Sequence, residues 1–253
     1  MTTTPASIQF LPYEVRVFET LPGTNAYLKQ LCQSETVKEG TVVRAINQTN
    51  GRGQFDREWL SEPGKNLTLS LLLEPKSIAL KEAFLISKAM ALAVFHTVKF
   101  FTRGDCSIKW PNDILCGDQK IAGILIENSI QGDTIKQCIV GIGLNVNQMH
   151  FTGDFHPTSL QRVTGKGFDP EEVQEVLLHQ IRKYYLELMR HNFKKLETDY
   201  FQYLHKVNSE QLFEIHNEKR LCRVDAVKED GSIVLISEQN KETYRYGEAR
   251  WLL

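Results

Sequence analysis

The sequence predicts an α+β fold, in which helical and strand-like segments alternate as far as Lys206 and a small all-β unit follows. Two observations carry that expectation. Long stretches with helical spacing, residues 78–101 and the run after Asp169, are separated by short β-patterned runs. After Lys206 only short strands remain, divided by polar turns such as Glu229-Asp230-Gly231, the pattern of a small barrel. Residues 1–206 are therefore expected to form one domain and 207–253 a second.

Residues 13–20 alternate as a half-buried strand does, a turn follows at Pro22-Gly23, and Thr24 is placed to cap a short helix through Leu31. Residues 42–46 form a strand and 67–73 a more buried one. The polar segment between them, 47–66, contains Gly51, Gly53 and Gly64. Unstructured connections of that length are uncommon in compact domains and usually functional. Residues 78–101 read as a helix, then 108–110, 121–127 and 135–146 as strands. Asp169-Pro170-Glu171-Glu172 combines a cap, a proline at the first helical position and an acid three residues on; its helix should reach about Met189, with another over 193–204. Strands at 212–215, 221–227, 232–237 and 242–246 complete the chain.

Composition narrows the function. The 30 basic and 31 acidic residues leave a formal net charge of -1, so no bulk field favours nucleic acid or a membrane surface. The longest apolar stretch, 84–95, is broken by Ser87 and Lys88, so no membrane span is expected. Residues 1–9 lack the basic start and apolar run of a signal peptide. Five scattered cysteines without a C-x-x-C pair suit free thiols in a reducing cytoplasm.

Three motifs carry chemistry. Gly51-Arg52-Gly53-Gln54-Phe55-Asp56-Arg57-Glu58-Trp59 joins glycines that let backbone approach a ligand to arginines that can grip carboxylate or phosphate. No G-K-[ST] follows, so it is not a P-loop, and a solvated surface loop fits these residues equally well. Lys109-Trp110-Pro111-Asn112-Asp113 ends a strand at the proline and leaves Asn112 and Asp113 at its exit. A turn at Gly117-Asp118 then returns the chain through Lys120 into 121–127. Such a lysine can aim a charge into a cleft, but more often it snorkels at a sheet edge. Gly141-Ile142-Gly143-Leu144-Asn145 begins like a dinucleotide fingerprint, but Val146 stands where the third glycine belongs. A glycine-thinned strand with something close to its backbone fits better. No H-E-x-x-H pair or G-x-S-x-G elbow is present.

In order, these motifs resemble the biotin protein ligase family. Thr24-Asn25, Gly51-Arg52-Gly53 with Trp59, Lys109 to Asp113, Lys120 to Glu127, Gly141 to Asn145 and Thr158-Ser159-Leu160 follow its pattern. The resemblance implies a mixed, largely antiparallel sheet with helices on one face, plus a C-terminal SH3-like barrel. It implies activation of biotin by ATP to biotinyl-5'-AMP, then transfer to a lysine of a biotin carboxyl carrier protein. Arg52 and Lys120 would be catalytic, offsetting the charge where two anions meet. Gly23, Thr24, Asn25, Gln48, Gly51, Gly53, Gln54 and Gly123 would join them around biotin. Arg57, Trp59, Asn112, Asp113 and Asn145 would border ATP with Arg52 and Lys120, Trp59 packing on adenine. Mg²⁺ would arrive with ATP, held by phosphates and water.

Two departures matter. Some members have an arginine where this chain has Gln54, and repressor members carry a helix-turn-helix domain, for which twelve residues ahead of the first strand leave no room. An enzyme that does not bind DNA is expected; a homodimer stays open. The alternatives are a lipoate or octanoate attachment enzyme of related fold, which would need a longer apolar slot, and a silent nucleotide- or vitamin-binding module.

Overall fold

The computed structural model describes residues 12–151, 157–238 and 240–252. In chain order the first half contains β1 (Glu14–Leu21), α1 (Thr24–Ser34), β2 (Thr41–Gln48), β3 (Gly51–Arg52), β4 (Glu58–Trp59), β5 (Asn66–Leu73) and α2 (Phe84–Thr102). Strands β6 (Cys106–Lys109), β7 (Asp113–Cys116), β8 (Gln119–Gln131) and β9 (Thr134–Asn145) follow, then α3 (Leu160–Thr164), α4 (Pro170–Met189) and α5 (Phe193–Gln202). The last strands are β10 (Gln211–Ile215), β11 (Glu218–Val227), β12 (Ile233–Ile236), β13 (Lys241–Tyr244) and β14 (Ala249–Trp251).

Seven strands form one sheet in the order β1-β2-β5-β9-β8-β7-β6. Only β1 and β2, joined through α1, run parallel; the other neighbours are antiparallel. Because side chains alternate across a strand, β5 presents Leu67, Leu69, Leu71 and Leu73 to one face and Thr68, Ser70 and Leu72 to the other. The leucine face packs on α2 and α4, whose buried residues complete the main core. The expected helix-covered face is there. The short α1 adds cover on the opposite face, where Leu28 packs with Val43, Ala45, Leu72 and Ile139.

The final strands form an antiparallel sheet ordered β13-β12-β11-β10-β14. Its inward residues Phe213, Ile215, Val224 and Leu235 belong to the same buried cluster as α2 and α4. Two hydrogen bonds fasten the units. Trp110 Nε1 donates to Gly231 O (3.0 Å), and Lys88 Nζ donates to Val227 O (2.9 Å) while pairing with Glu197 (2.7 Å).

Several local expectations change. Thr24 is the first helical residue of α1, not its cap; Gly23 takes that position and the Thr24 hydroxyl turns to Gln48. Helix α2 begins at Phe84 rather than residue 78, because residues 80–82 form a separate 3₁₀ turn closed by Ala79 N–H on Glu82 Oε2. The 47–66 segment is not structureless, since β3 and β4 pair within it. Strands β7 and β14 and helix α3 were not expected. The expectation that no segment has the length and apolarity of a membrane span is corrected too: Leu80–Thr102 has both. Two-thirds of its apolar window is packed inside the protein (67% buried), as in a core helix.

Candidate active site

A cleft of about 1200 Å³ lies on the face of the sheet away from α2 and α4. Its floor is glycine-thinned. A Cβ at Gly141 would overlap the Asn25 amide, and one at Gly143 would overlap the Trp59 ring. At Gly123 a Cβ would come within 3.1 Å of Trp59 and 3.2 Å of Lys120. These glycines keep the sheet flat enough for bulky groups to lie directly on its backbone.

One end of the cleft is a polar network. Gln48 Oε1 accepts from Thr24 N–H (3.0 Å) and from the Thr24 hydroxyl (3.3 Å). The buried Ser70 hydroxyl reaches Thr24 Oγ1 (2.7 Å) and Asn25 Oδ1 (2.5 Å), and Asn25 Nδ2 donates to Glu127 (2.9 Å). The opposite end is charged. Lys120 Nζ pairs with Asp113 (2.6 Å) and lies 5.6 Å from the Trp59 ring centre. Beside it, burial pulls the Lys109 amine below its ordinary value, against the opposing pull of Asp113. Asn112 Nδ2 braces Ile124 O (2.8 Å) and Asn145 Nδ2 braces Thr158 O (2.9 Å). Gln54 Oε1, Trp59 Nε1 and Asn145 Oδ1 are buried around the cleft without a hydrogen-bond partner. Buried polar atoms are normally satisfied, so these three suit a polar ligand.

A model of the biotin/lipoate A/B protein ligase family matches residues 17–145. The chain belongs to that family. It is 36% identical over 165 residues to the bifunctional ligase/repressor BirA of Bacillus spizizenii, covering 63% of this chain and 50% of that protein. With the biotin--[acetyl-CoA-carboxylase] ligase of Paracoccus denitrificans it shares 34% identity over 163 residues, 62% of this chain and 67% of the other. The chain thus spans about half the length of the first of these relatives. Its fold superposes on the biotin protein ligase from Aquifex aeolicus in complex with biotin and ATP with a TM-score of 0.79 and 27% identity, covering 94% and 98% of the two chains.

Within this family member, most residues singled out from the sequence meet in the one cleft. Gly23, Thr24, Asn25 and Gln48 line its polar end; Asn112, Asp113, Lys120 and Asn145 line the charged end, with Gly123 between. Arg52, Gly53, Gln54, Arg57 and Trp59 come over it from the loop. Gly51 is the exception. It is not among the residues lining the cleft; it is buried where a Cβ would overlap the Gln48 amide and the Trp59 backbone, so it lets the loop pass close to both.

Sequence reasoning gave no role to Ser70, Lys109, Glu127, Tyr246 or Arg250, all of which the fold brings to the site. Ser70 had a faint signal, a lone hydroxyl in the apolar run of β5. Lys109 and Glu127 stand within the motifs, but the sequence does not show which way their charges face. Tyr246 and Arg250 reach the cleft from the C-terminal unit, and nothing in their local sequence marks them. Among the described residues no cluster of three or more His, Cys, Asp or Glu could hold a metal ion.

Proposed function

We propose that this chain activates biotin with ATP and transfers the biotinyl group to a lysine of a biotin carboxyl carrier protein. The observation that carries this reading is the two-ended cleft: one end a hydrogen-bonding network of Thr24, Asn25 and Gln48, a glycine-thinned floor, and the other end rich in cations, in a fold shared with a ligase bound to biotin and ATP. The Thr24–Gln48–Ser70–Asn25 network suits a ureido group, which both donates and accepts. Lys120, Lys109 and Arg52 suit the far end, where the biotin carboxylate attacks the α-phosphorus and pyrophosphate leaves. Fixed cations there offset the meeting of two anions. The lysine amine of the carrier then displaces AMP from the mixed anhydride. Trp59 rests on the glycine floor beside Lys120, and its outer face can stack on the nucleotide base. Mg²⁺ enters with ATP, held by its phosphates and water, since the nearby Asp113 is already paired with Lys120.

The test is pyrophosphate release with ATP, Mg²⁺ and either biotin or lipoate, followed by labelling of a carrier domain. Release with biotin and labelling of the carrier lysine are expected. Release with lipoate alone points to the related acyl ligases, and release with neither acid points to a binding module.

A further inference from the structure

The loop over the cleft meets the C-terminal unit at a pair of stacked rings. Phe55, at the loop tip, has left-handed backbone (φ 55°, ψ 44°), disfavoured for a bulky residue, and the residue is 64% exposed. It stacks on Tyr246 with ring centres 4.9 Å apart and planes at 21°. The turn carrying Tyr246 lies against the Phe55 ring. Gly247 has φ +97°, and a Cβ there would lie 3.5 Å from Phe55 Cζ. Tyr246 in turn packs edge-on against Trp110 (5.4 Å, 82°), the buried indole hydrogen-bonded to Gly231. The loop tip is thus tied to the C-terminal unit and to the Lys109–Asp113 turn at once.

We propose that Phe55 and Tyr246 form a latch by which the C-terminal unit holds the loop closed, so that both are positioning residues for retaining the acyl-adenylate. The retention half of this rests on the ligase reading above; the latch itself does not. Trp59 anchors the loop to the sheet floor, and Phe55 anchors it to the barrel. Between these anchors lie Gln54 and Arg57, which line the cleft. Losing either ring frees the tip, exposes the cleft to water and speeds escape of the intermediate.

The full chain tests this in two ways. Without ligand, trypsin cleavage after Arg52 and Arg57 is timed in wild type, Phe55→Ala, Tyr246→Ala and the double variant. With biotin and ATP, release of labelled adenylate is timed in the same set. Each single variant should raise both rates about three- to tenfold, the scale of one aromatic pair. The double variant should be no faster than the faster single, and Phe55→Tyr, which keeps a stacking ring, should restore wild-type rates. Unchanged single variants, or effects that multiply in the double, overturn the latch. If wild type forms no adenylate, the ligase reading fails, and the ligand-free cleavage rates still decide the latch.

Discussion

Lys120 is the residue whose chemistry can be weighed most directly. A lysine at the mouth of a strand usually snorkels, yet this one lies over Gly123 and pairs with Asp113 inside the cleft. Lys120→Ala should therefore cut adenylate formation by roughly two orders of magnitude or more, as expected when one preorganised charge at a reacting phosphate is lost. Near-normal pyrophosphate release would return Lys120 to a sheet-edge role. The loop offers a finer contrast. Arg52 sits on β3 opposite Glu58 and carries a permanent charge, whereas Gln54 offers a neutral amide whose buried Oε1 lacks a partner. Arg52→Ala should lose about 2–4 kcal/mol of transition-state stabilisation and Gln54→Ala about 1 kcal/mol. Single-turnover biotinylation of a carrier domain measures both, and a larger loss at Gln54 would reverse the assignment.

At the scale of elements, β9 shows why glycine matters more by position than by number. Gly143 faces the cleft, and a methyl group there would overlap Trp59, whereas a Cβ at Gly117 would meet nothing within 4 Å. The loop can yield more readily than the sheet. Gly143→Ala should therefore lift Trp59 from the floor, lower adenylate formation at least about tenfold, and move the melting temperature by only a few degrees, less than overpacking a closed core would. Equal activity with unchanged loop cleavage would show that Trp59 is not seated there. The same strand shows what sequence can reveal. The glycine-thinned reading of 141–145 was legible because close backbone approach leaves glycine as its mark. Strand β7 was not legible, because its four residues lie between the Pro111 turn and the Gly117 turn with no room for a period to show. Ser70 joins the site only through Thr24 and Asn25, some 45 residues earlier in the chain, and no local pattern records a contact formed by folding.

The interiors of the two sheets merge in one buried cluster, and His205 sits at the join. Its Nδ1 is 2.8 Å from the Ser107 hydroxyl, its backbone N–H bonds Ile108 O, and its ring lies 5.8 Å from Trp251 of the last strand. Burial lowers its pKa below the ordinary value near 6.5, helped by Lys206 and Lys109 and opposed by Asp118 and Asp105. His96, half-buried beside the main core, is lowered in the same way, first by burial, then by Lys183 and Lys195, with Asp199 opposing. Its ring stacks on Tyr184. The sign follows from proton counts. Between the lowered folded value and about 6.5 the unfolded chain binds more protons than the folded one, so stability rises with pH through that window. Read downward, acid should begin to destabilise the protein below about pH 6.5, ahead of the carboxylate range. Melting temperatures from about pH 7.5 to 5.5 should fall in wild type and fall less steeply in His205→Gln and His96→Phe. Because the two rings lie in different parts of one continuous core, their effects on the slope should add in the double variant. A wild-type slope identical to that of the double variant would mean that neither imidazole is held neutral by the fold.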